Sequence, residues 1–113
     1  MYAMVLSENK KDFTGETKLG EFTSLTRDIM LGRLSSPEKT EPKPTTIGAN
    51  SALQYEMRGV VQGLNLMYIV TTVETSEHYH QVITWTQPSQ IDSNRSTMLE
   101  VTQSFKEVGP PKP

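Results

Sequence analysis

The chain has 113 residues, of which 35% are hydrophobic and 21% are charged, and its formal net charge at pH 7 is -2. This length fits one domain with one hydrophobic core, and the balance of apolar and charged residues is typical of folded proteins. The mild negative charge, without a basic cluster, removes the attraction on which non-specific nucleic-acid binding depends. We therefore expect a single folded domain over residues 1–108, a proline-rich tail over residues 109–113, and no nucleic-acid partner.

Residue types also exclude several kinds of site. The sequence holds no cysteine, which excludes disulfides, thiolate metal ligands and a cysteine nucleophile. No apolar run approaches the roughly 20 residues of a membrane-spanning helix, and the first residues lack the charged-then-apolar pattern of a signal peptide. The sequence thus predicts no membrane span, and no motif in it indicates a cofactor.

The first half of the chain predicts a strand, a helix and a loop. The apolar run Tyr2–Leu6 is typical of a buried strand. From Thr17 to about Leu34, apolar residues recur at spacings of three and four, which predicts an amphipathic helix with Thr17 as its N-cap. The expected buried stripe consists of Leu19, Phe22, Leu25 and Ile29. The prolines and glycine of Ser35–Asn50 predict a long surface loop, with at most a short strand at Thr45–Ile47.

The second half predicts an antiparallel meander and a closing helix. Three runs rich in β-branched and aromatic residues are separated by breaks short enough for hairpin turns: Ala52–Val60, Leu64–Thr75 and His78–Thr86. After Pro88, a helix capped by Asp92 or Ser93 is expected to bury Met98, Val101, Thr102 and Phe105, with Phe105 as its anchor on the sheet. The fold class is therefore α+β, with an antiparallel meander flanked by helices.

The sharpest local motif is the histidine pair His78 and His80. Residues two apart on a strand point to the same face, and paired imidazoles can bind zinc, copper or nickel. Glu74, across the hairpin, is the nearest third ligand in sequence. A metal site formed by His78, His80 and Glu74 is one hypothesis, and solvated surface histidines are the simpler alternative.

Catalysis has less support in the sequence. No G-x-S-x-G elbow occurs, and the glycines around Val60–Gln62 precede a strand rather than the helix that a phosphate-binding loop requires. The carboxylates that acid–base chemistry would need lie among polar neighbours, as ordinary surface carboxylates do: Glu8, Asp12, Glu56 and Glu74. Four aromatic residues fit either a ligand groove on the sheet or core packing, and core packing is favoured for Trp85: Tyr55, Tyr68, Tyr79 and Trp85. We therefore expect no enzyme and no catalytic residue.

Four stretches of the sequence carry a family resemblance across nearly the whole chain: Val5–Phe13, Gly48–Tyr68, His80–Thr86 and Ser104–Lys106. In the order strand, long helix, proline-rich segment, three-strand meander and closing helix, they resemble the PsbP-like superfamily. That superfamily includes bacterial DcrB-type domains, the photosystem II protein PsbP and the Ran-binding Mog proteins. The resemblance implies an α/β/α sandwich that acts as a binding or assembly module without a shared enzyme activity.

The chain departs from this family in one respect that bears on assembly. Members carry an N-terminal hairpin before the strand that corresponds to Tyr2–Leu6, and no such segment precedes it here. A missing leader would hide any export signal, so the sequence does not decide against a location in the cell envelope. We expect a non-catalytic domain that binds another protein through its sheet or its Ser35–Asn50 loop, and a homodimer that covers the apolar Tyr2–Leu6 strand. The alternative function is binding of a small ligand or metal on the His78 and His80 face.

Overall fold

The computed structural model describes residues 1–13 and 17–106, and within these ranges the chain forms one six-stranded antiparallel sheet and two α-helices. The strands are β1 (Tyr2–Asn9), β2 (Ser35–Lys39), β3 (Lys43–Ile47), β4 (Asn50–Val61), β5 (Leu64–Glu74) and β6 (His78–Thr86). The helices are α1 (Leu19–Leu31) and α2 (Ile91–Gln103). The α+β class is confirmed, while the tail over residues 109–113 lies outside the described residues. Neither described helix is long and apolar enough to cross a membrane.

The predicted meander forms the centre of the sheet. β4, β5 and β6 follow one another as antiparallel hairpins, and β1 adds to the outer edge of β6. The opposite edge, on β4, is shared by β3 beside residues 50–54 and by β2 beside residues 57–60. The chain therefore begins on one edge of the sheet, where β1 has a neighbour on only one side.

The two helices lie on opposite faces of this sheet. The α1 face carries the even-numbered residues of β1 and β5 with the odd-numbered residues of β4 and β6, since antiparallel partners share a face. Phe22 of α1 stacks on Tyr79 of this face with ring centroids 4.6 Å apart. On the α2 face, Arg95 of α2 binds the Glu56 carboxylate at 2.7 Å. The molecule is a three-layer sandwich of helix, sheet and helix.

The core beneath α2 is closed by residues from four strands and from the segment that follows the helix. Ile47, Ala52, Val73 and Val82 form a buried cluster, and the half-buried Phe105 packs against it. Met98 and Thr102 of α2 are buried. The predicted inner face of this helix is therefore confirmed at Met98 and Thr102. Phe105, however, follows the helix rather than ending it, and neither Asp92 nor Ser93 is its cap, because α2 begins at Ile91 after Gln90.

The Ser35–Asn50 segment is more regular than the predicted loop: the short strand expected at Thr45–Ile47 is confirmed within β3, whereas β2 was not expected. It forms the two short strands β2 and β3, although Pro37 and Pro44 lie within them. Both strands pair on one side only, with β4, so a residue without an N–H group interrupts no central ladder. The register also shifts between Ser35 and Glu38, which accommodates Pro37.

Two expectations about the N-terminal half are wrong in detail. β1 is a strand but it is exposed along almost its whole length rather than buried. α1 begins after Lys18, and Thr17 does not cap it; the backbone carbonyl of Thr17 accepts a hydrogen bond from the Tyr79 hydroxyl instead. On α1, Phe22 is buried as expected, whereas Leu25 and Ile29 are 51% and 49% exposed.

Candidate functional site

The α1 face of the sheet is only half covered. α1 lies over the end of the sheet where Phe22 contacts Tyr79 and the Thr23 hydroxyl meets the Thr72 hydroxyl at 2.5 Å. Arg27, on the next turn, lies over the Tyr55 ring and reaches the Glu41 carboxylate at 3.3 Å. Beyond this cluster, toward the opposite end of the strands, the helix stops at Leu31 and the sheet continues without it.

The uncovered half of this face forms an apolar groove with a volume of about 330 Å³. Its floor comes from the sheet and one wall comes from the C-terminal end of α1 and the residues that follow it. The lining residues are Met4, Leu6, Met30, Arg33, Leu34, Met57, Val61, Tyr68, Ile83 and Trp85. Among them, Arg33 alone carries a charge. A concave surface of this size with so little polarity is the usual form of a binding site.

A glycine on β4 lets the helical wall approach the floor. Gly59 is buried, and a Cβ built on it would stand 2.7 Å from the Leu34 Cβ and 3.1 Å from the Ser35 carbonyl oxygen. Leu34 can reach its place in the groove only because residue 59 has no side chain. This close approach, rather than a turn or a positive φ, is what requires glycine at this position.

Gly59→Ala should therefore lower the free energy of unfolding by about 1–3 kcal/mol, because the new methyl group overpacks the contact with Leu34. Gly20→Ala is the matched control, since Gly20 lies in α1 with no atom within 4 Å of the added Cβ. We expect that control to stabilise the protein by up to about 1 kcal/mol, as alanine is the better helix former. Urea denaturation of both variants gives the comparison, and losses of equal size would contradict the close contact at Gly59.

Aromatic rings form a row across the open end of the groove. Tyr2 of β1 stacks on Trp85 of β6 with centroids 5.7 Å apart, and Tyr68 of β5 lies 6.0 Å from the other side of the indole. Burial raises the pKa of the Tyr68 hydroxyl above its ordinary value. Tyr55 and Tyr79 are in contrast buried beneath α1. The four aromatic residues are thus divided: Tyr68 and Trp85 line the groove, and both also pack on the buried cluster that contains Tyr55, Met57, Val70 and Ile83.

The side of the groove at β1 is open to solvent. Tyr2, Met4 and Leu6 lie on the α1 face of β1 and are 67%, 42% and 43% exposed. Leu25 and Ile29 share a flank of α1 with Phe22, which lies over β6, so this exposed flank is the one nearest β1. Exposed apolar side chains thus lie on β1 and on the facing flank of α1, and apolar residues grouped in this way can mark a binding surface.

The structure brings His78 and His80 together but places Glu74, the third predicted metal ligand, elsewhere. His78 and His80 lie on the α2 face, with their rings stacked 5.6 Å apart, whereas Glu74 pairs with Tyr79 and so lies on the α1 face. There the Glu74 carboxylate binds the Lys10 ammonium at 2.9 Å. In the hairpin, Glu74 is opposite Tyr79 rather than either histidine, so its side chain is on the other face of the sheet. The spacing in the sequence does not determine this register. Among the described residues, no group of three or more histidine, cysteine or acidic side chains is arranged to hold a metal.

His80 instead links β1 to β6 across the edge of the sheet. The Ser7 hydroxyl lies 2.7 Å from His80 Nδ1, and these two residues are register partners. The ring of Phe105 covers the imidazole with centroids 4.9 Å apart. A serine–histidine contact of this kind is an ordinary cross-strand hydrogen bond on a part-buried face.

The candidate acid–base carboxylates are also dispersed. Glu56 is on the α2 face in an ion pair with Arg95, and Asp12 lies in a short 3-10 turn after β1. Glu8 and Glu74 flank Tyr79 from opposite sides, two strands apart. The structure therefore pairs none of these four carboxylates with another.

Comparison with known proteins supports the fold. No family model matches the chain, and no curated protein matches it. Among the solved structures that match is one with the same architecture. It is PA94 from Pseudomonas aeruginosa, a protein of unknown function with a suggested regulatory role, and it superposes with a TM-score of 0.73. The match covers 97% of this chain and 74% of that chain at 13% sequence identity, which shows a common fold alone.

Proposed function

We propose that this chain is a non-catalytic protein-binding domain whose groove on the α1 face takes an apolar segment of a partner protein. The observation that carries the proposal is the groove beside the end of α1, where the helix stops at Leu31 and the partly exposed Met4 and Trp85 lie on the same face of the sheet. Removal of such a surface from water lowers the free energy by roughly 25 cal/mol per Å².

The shape of the groove favours a long occupant over an enclosed small molecule. Sites for small ligands bury most of the ligand surface. This groove is open along β1, where Met4 and Leu6 remain more than two-fifths exposed. The apolar flank of α1, with Leu25 and Ile29, extends the same surface beyond the groove. A helix or extended segment with one apolar face fits these dimensions, since it can lie along the floor and contact the flank.

The chemistry of the lining supports binding without catalysis. Methionine, leucine, isoleucine and valine side chains neither transfer protons nor act as nucleophiles. Arg33 contributes a guanidinium group and Tyr68 a phenol whose pKa is raised by burial. The site thus offers apolar area, two aromatic platforms and one positive charge that can orient a partner.

Membership of the PsbP-like superfamily is part of this proposal. It is supported by the three-layer arrangement and by the antiparallel meander, which are the features that the resemblance implies. Members of such a fold differ widely in function, so the proposed role depends on the groove and not on the family. A protein partner can be a second copy of the chain, and we include self-association in the proposal.

The proposal can be tested with Trp85, the single tryptophan of the chain, which lies in the groove. The probe is a synthetic amphipathic helical peptide of about five turns with a leucine face. Binding should shift the Trp85 emission to shorter wavelength, because the peptide removes the indole from water. Leu6→Glu should weaken binding by about 10- to 100-fold, the equivalent of losing one buried leucine side chain.

Leu64→Glu is the matched control, because Leu64 is 57% exposed at the start of β5 and is not part of the groove lining. We expect its affinity for the peptide to stay within about twofold of the unmodified chain. A peptide with the same composition but no apolar face should leave the Trp85 emission unchanged. Equal weakening by both substitutions, or no emission change with the amphipathic peptide, would overturn the proposed site.

A further inference from the structure

We propose that a second copy of this chain pairs with the free edge of β1 about a two-fold axis at Val5, and that this pairing joins the two grooves into one trough. The inference rests on the proposed binding function, because it says what completes the open side of the groove. Without the second copy, the floor ends at Tyr2, Met4 and Leu6, whose side chains stand in water.

The backbone of β1 fixes which residues are available for pairing. The Lys10 N–H donates to the Glu77 carbonyl at 2.9 Å, in the same register that pairs Asn9 with His78. Because backbone direction alternates along a strand, the even-numbered residues of β1 bond to β6. The odd-numbered residues Ala3, Val5 and Ser7 therefore present their N–H and C=O groups at the free edge.

This phase restricts the registers that a two-fold dimer can use. Odd-numbered residues of one copy must face odd-numbered residues of the other. Two facing odd numbers always have a whole number midway between them, so the two-fold axis lies at a residue position rather than between two residues. With Val5 on the axis, Ala3 faces Ser7 and Met4 faces Leu6 of the second copy, which pairs residues 2–8 along their whole length. An axis at Met4 would leave Ser7–Asn9 unpaired, and an axis at Leu6 would place Met4 against Glu8.

The side chains of β1 allow pairing with a second copy. Tyr2–Leu6 contains no charged residue of the kind that edge strands use to prevent self-pairing. In the Val5 register Glu8 faces Tyr2, so the two Glu8 carboxylates never oppose one another. The exposed Val5, on the α2 face, gains cover from the same contact.

The two-fold arrangement also places the two grooves side by side. Antiparallel partners share a face, so the α1 faces of both copies lie on the same side of one continuous sheet. Met4 and Leu6 of one copy then lie opposite Leu6 and Met4 of the other, with Cβ atoms about 4.5–5.5 Å apart. The result is a single apolar floor across the dimer, bounded on both sides by an α1 helix.

Single cysteine substitutions test this register directly, because the natural chain has no cysteine to interfere. In Val5→Cys the two Cα atoms at the axis should lie about 5.5 Å apart, which suits a disulfide. Mild oxidation should therefore convert most of this variant into a covalent dimer. Leu64→Cys, exposed at the β4–β5 hairpin, is the control and should stay monomeric in the absence of reductant. Cross-linking of Val5→Cys no faster than Leu64→Cys would overturn the register.

Val5→Pro is designed to prevent dimerisation without disturbing the fold of the single chain. The Val5 N–H lies at the free edge, so proline there removes no bond to β6, whereas Met4→Pro removes one and should destabilise the strand. Light scattering should give a mass near twice 12.7 kDa for the natural chain and near 12.7 kDa for Val5→Pro, with unchanged circular dichroism. A natural chain that is monomeric at high micromolar concentration would overturn the dimer.

The two proposals fail in different ways. A monomeric natural chain that still binds the amphipathic peptide through Leu6 would remove the dimer and leave the binding function standing. A Val5 dimer that does not bind the peptide would remove the binding function and leave the dimer. If the trough is the complete site, the natural chain should dimerise. It should also bind the peptide at least about tenfold more tightly than Val5→Pro does.

Discussion

Replacing Phe22 by alanine should lower the free energy of unfolding by about 3–5 kcal/mol, the largest loss that we expect from a single substitution on α1. Phe22 is 1% exposed and packs on the sheet, as Thr23 and Arg27 of the same helix also do. Its ring stacks on Tyr79 and meets the edge of Phe13 with centroids 5.7 Å apart, so alanine would leave a cavity between three elements. Such a loss is a large share of the roughly 5–15 kcal/mol that holds a domain folded.

The control for this substitution is Leu25→Ala on the same helix. The sequence places Leu25 in the same apolar stripe as Phe22, but its side chain is 51% exposed. We expect a loss below about 1 kcal/mol, because little of its surface leaves water on folding. Urea denaturation followed by circular dichroism would compare the two variants. Losses of similar size would mean that α1 is rotated toward the Leu25 flank and that the groove is covered.

The meander was predictable from sequence because local signals agree there. Residues rich in β-branched and aromatic side chains, broken by Gly63 and by Ser76, predict two hairpins, and the observed strands β4, β5 and β6 match the predicted runs closely. The alternation along β6 also predicted which residues share a face. His80 and Val82 lie on the α2 face, and Ile83 and Trp85 lie on the α1 face, as the two-residue period requires.

The environment of the N-terminal half was not predictable, because a pattern of apolar residues does not say what covers them. The run Tyr2–Leu6 has the composition of a buried strand, yet it lies at an edge with both of its faces exposed. The spacing of Phe22, Leu25 and Ile29 gives the right stripe on α1, but the stripe extends past the surface that the helix packs on. In both places the exposed apolar residues mark the groove and the edge where we propose binding.

The segment between Ser35 and Asn50 shows a different limit of sequence reasoning. Prolines argue against a central strand but not against an edge strand, whose outer backbone groups need no partner in the sheet. Pro44 of β3 lies opposite Leu53 of β4, and β3 is on the outer edge of β4. Which strand would be at an edge depends on the whole topology, and the local sequence does not contain that information.

One feature of the sequence indicates the groove, but that feature has two interpretations. Trp85, Tyr68, Tyr55 and Tyr79 fit both a groove and a core, and the structure uses two of them for each. The deciding factor is the length of α1, which ends at Leu31 and so covers Tyr55 and Tyr79 but not Trp85. Gly59 also belongs to the site, because it admits Leu34, and a lone glycine inside a strand indicates close approach without naming the neighbour.

Met98→Ala should cost about 2–5 kcal/mol, and it should cost more than Phe105→Ala, which reverses the order expected from residue size. Met98 is fully buried where α2 packs on the sheet, whereas Phe105 follows the helix and is only partly buried against the cluster of Ile47, Val73 and Val82. The ion pair between Arg95 and Glu56 is present in both variants, so it does not alter the comparison between them. For Phe105→Ala we expect about 1–2 kcal/mol, because part of the ring is already in water. Thermal and urea denaturation of the two variants would decide the order, and a larger loss for Phe105→Ala would show that the end of the chain, rather than the buried face of α2, fastens this layer to the sheet.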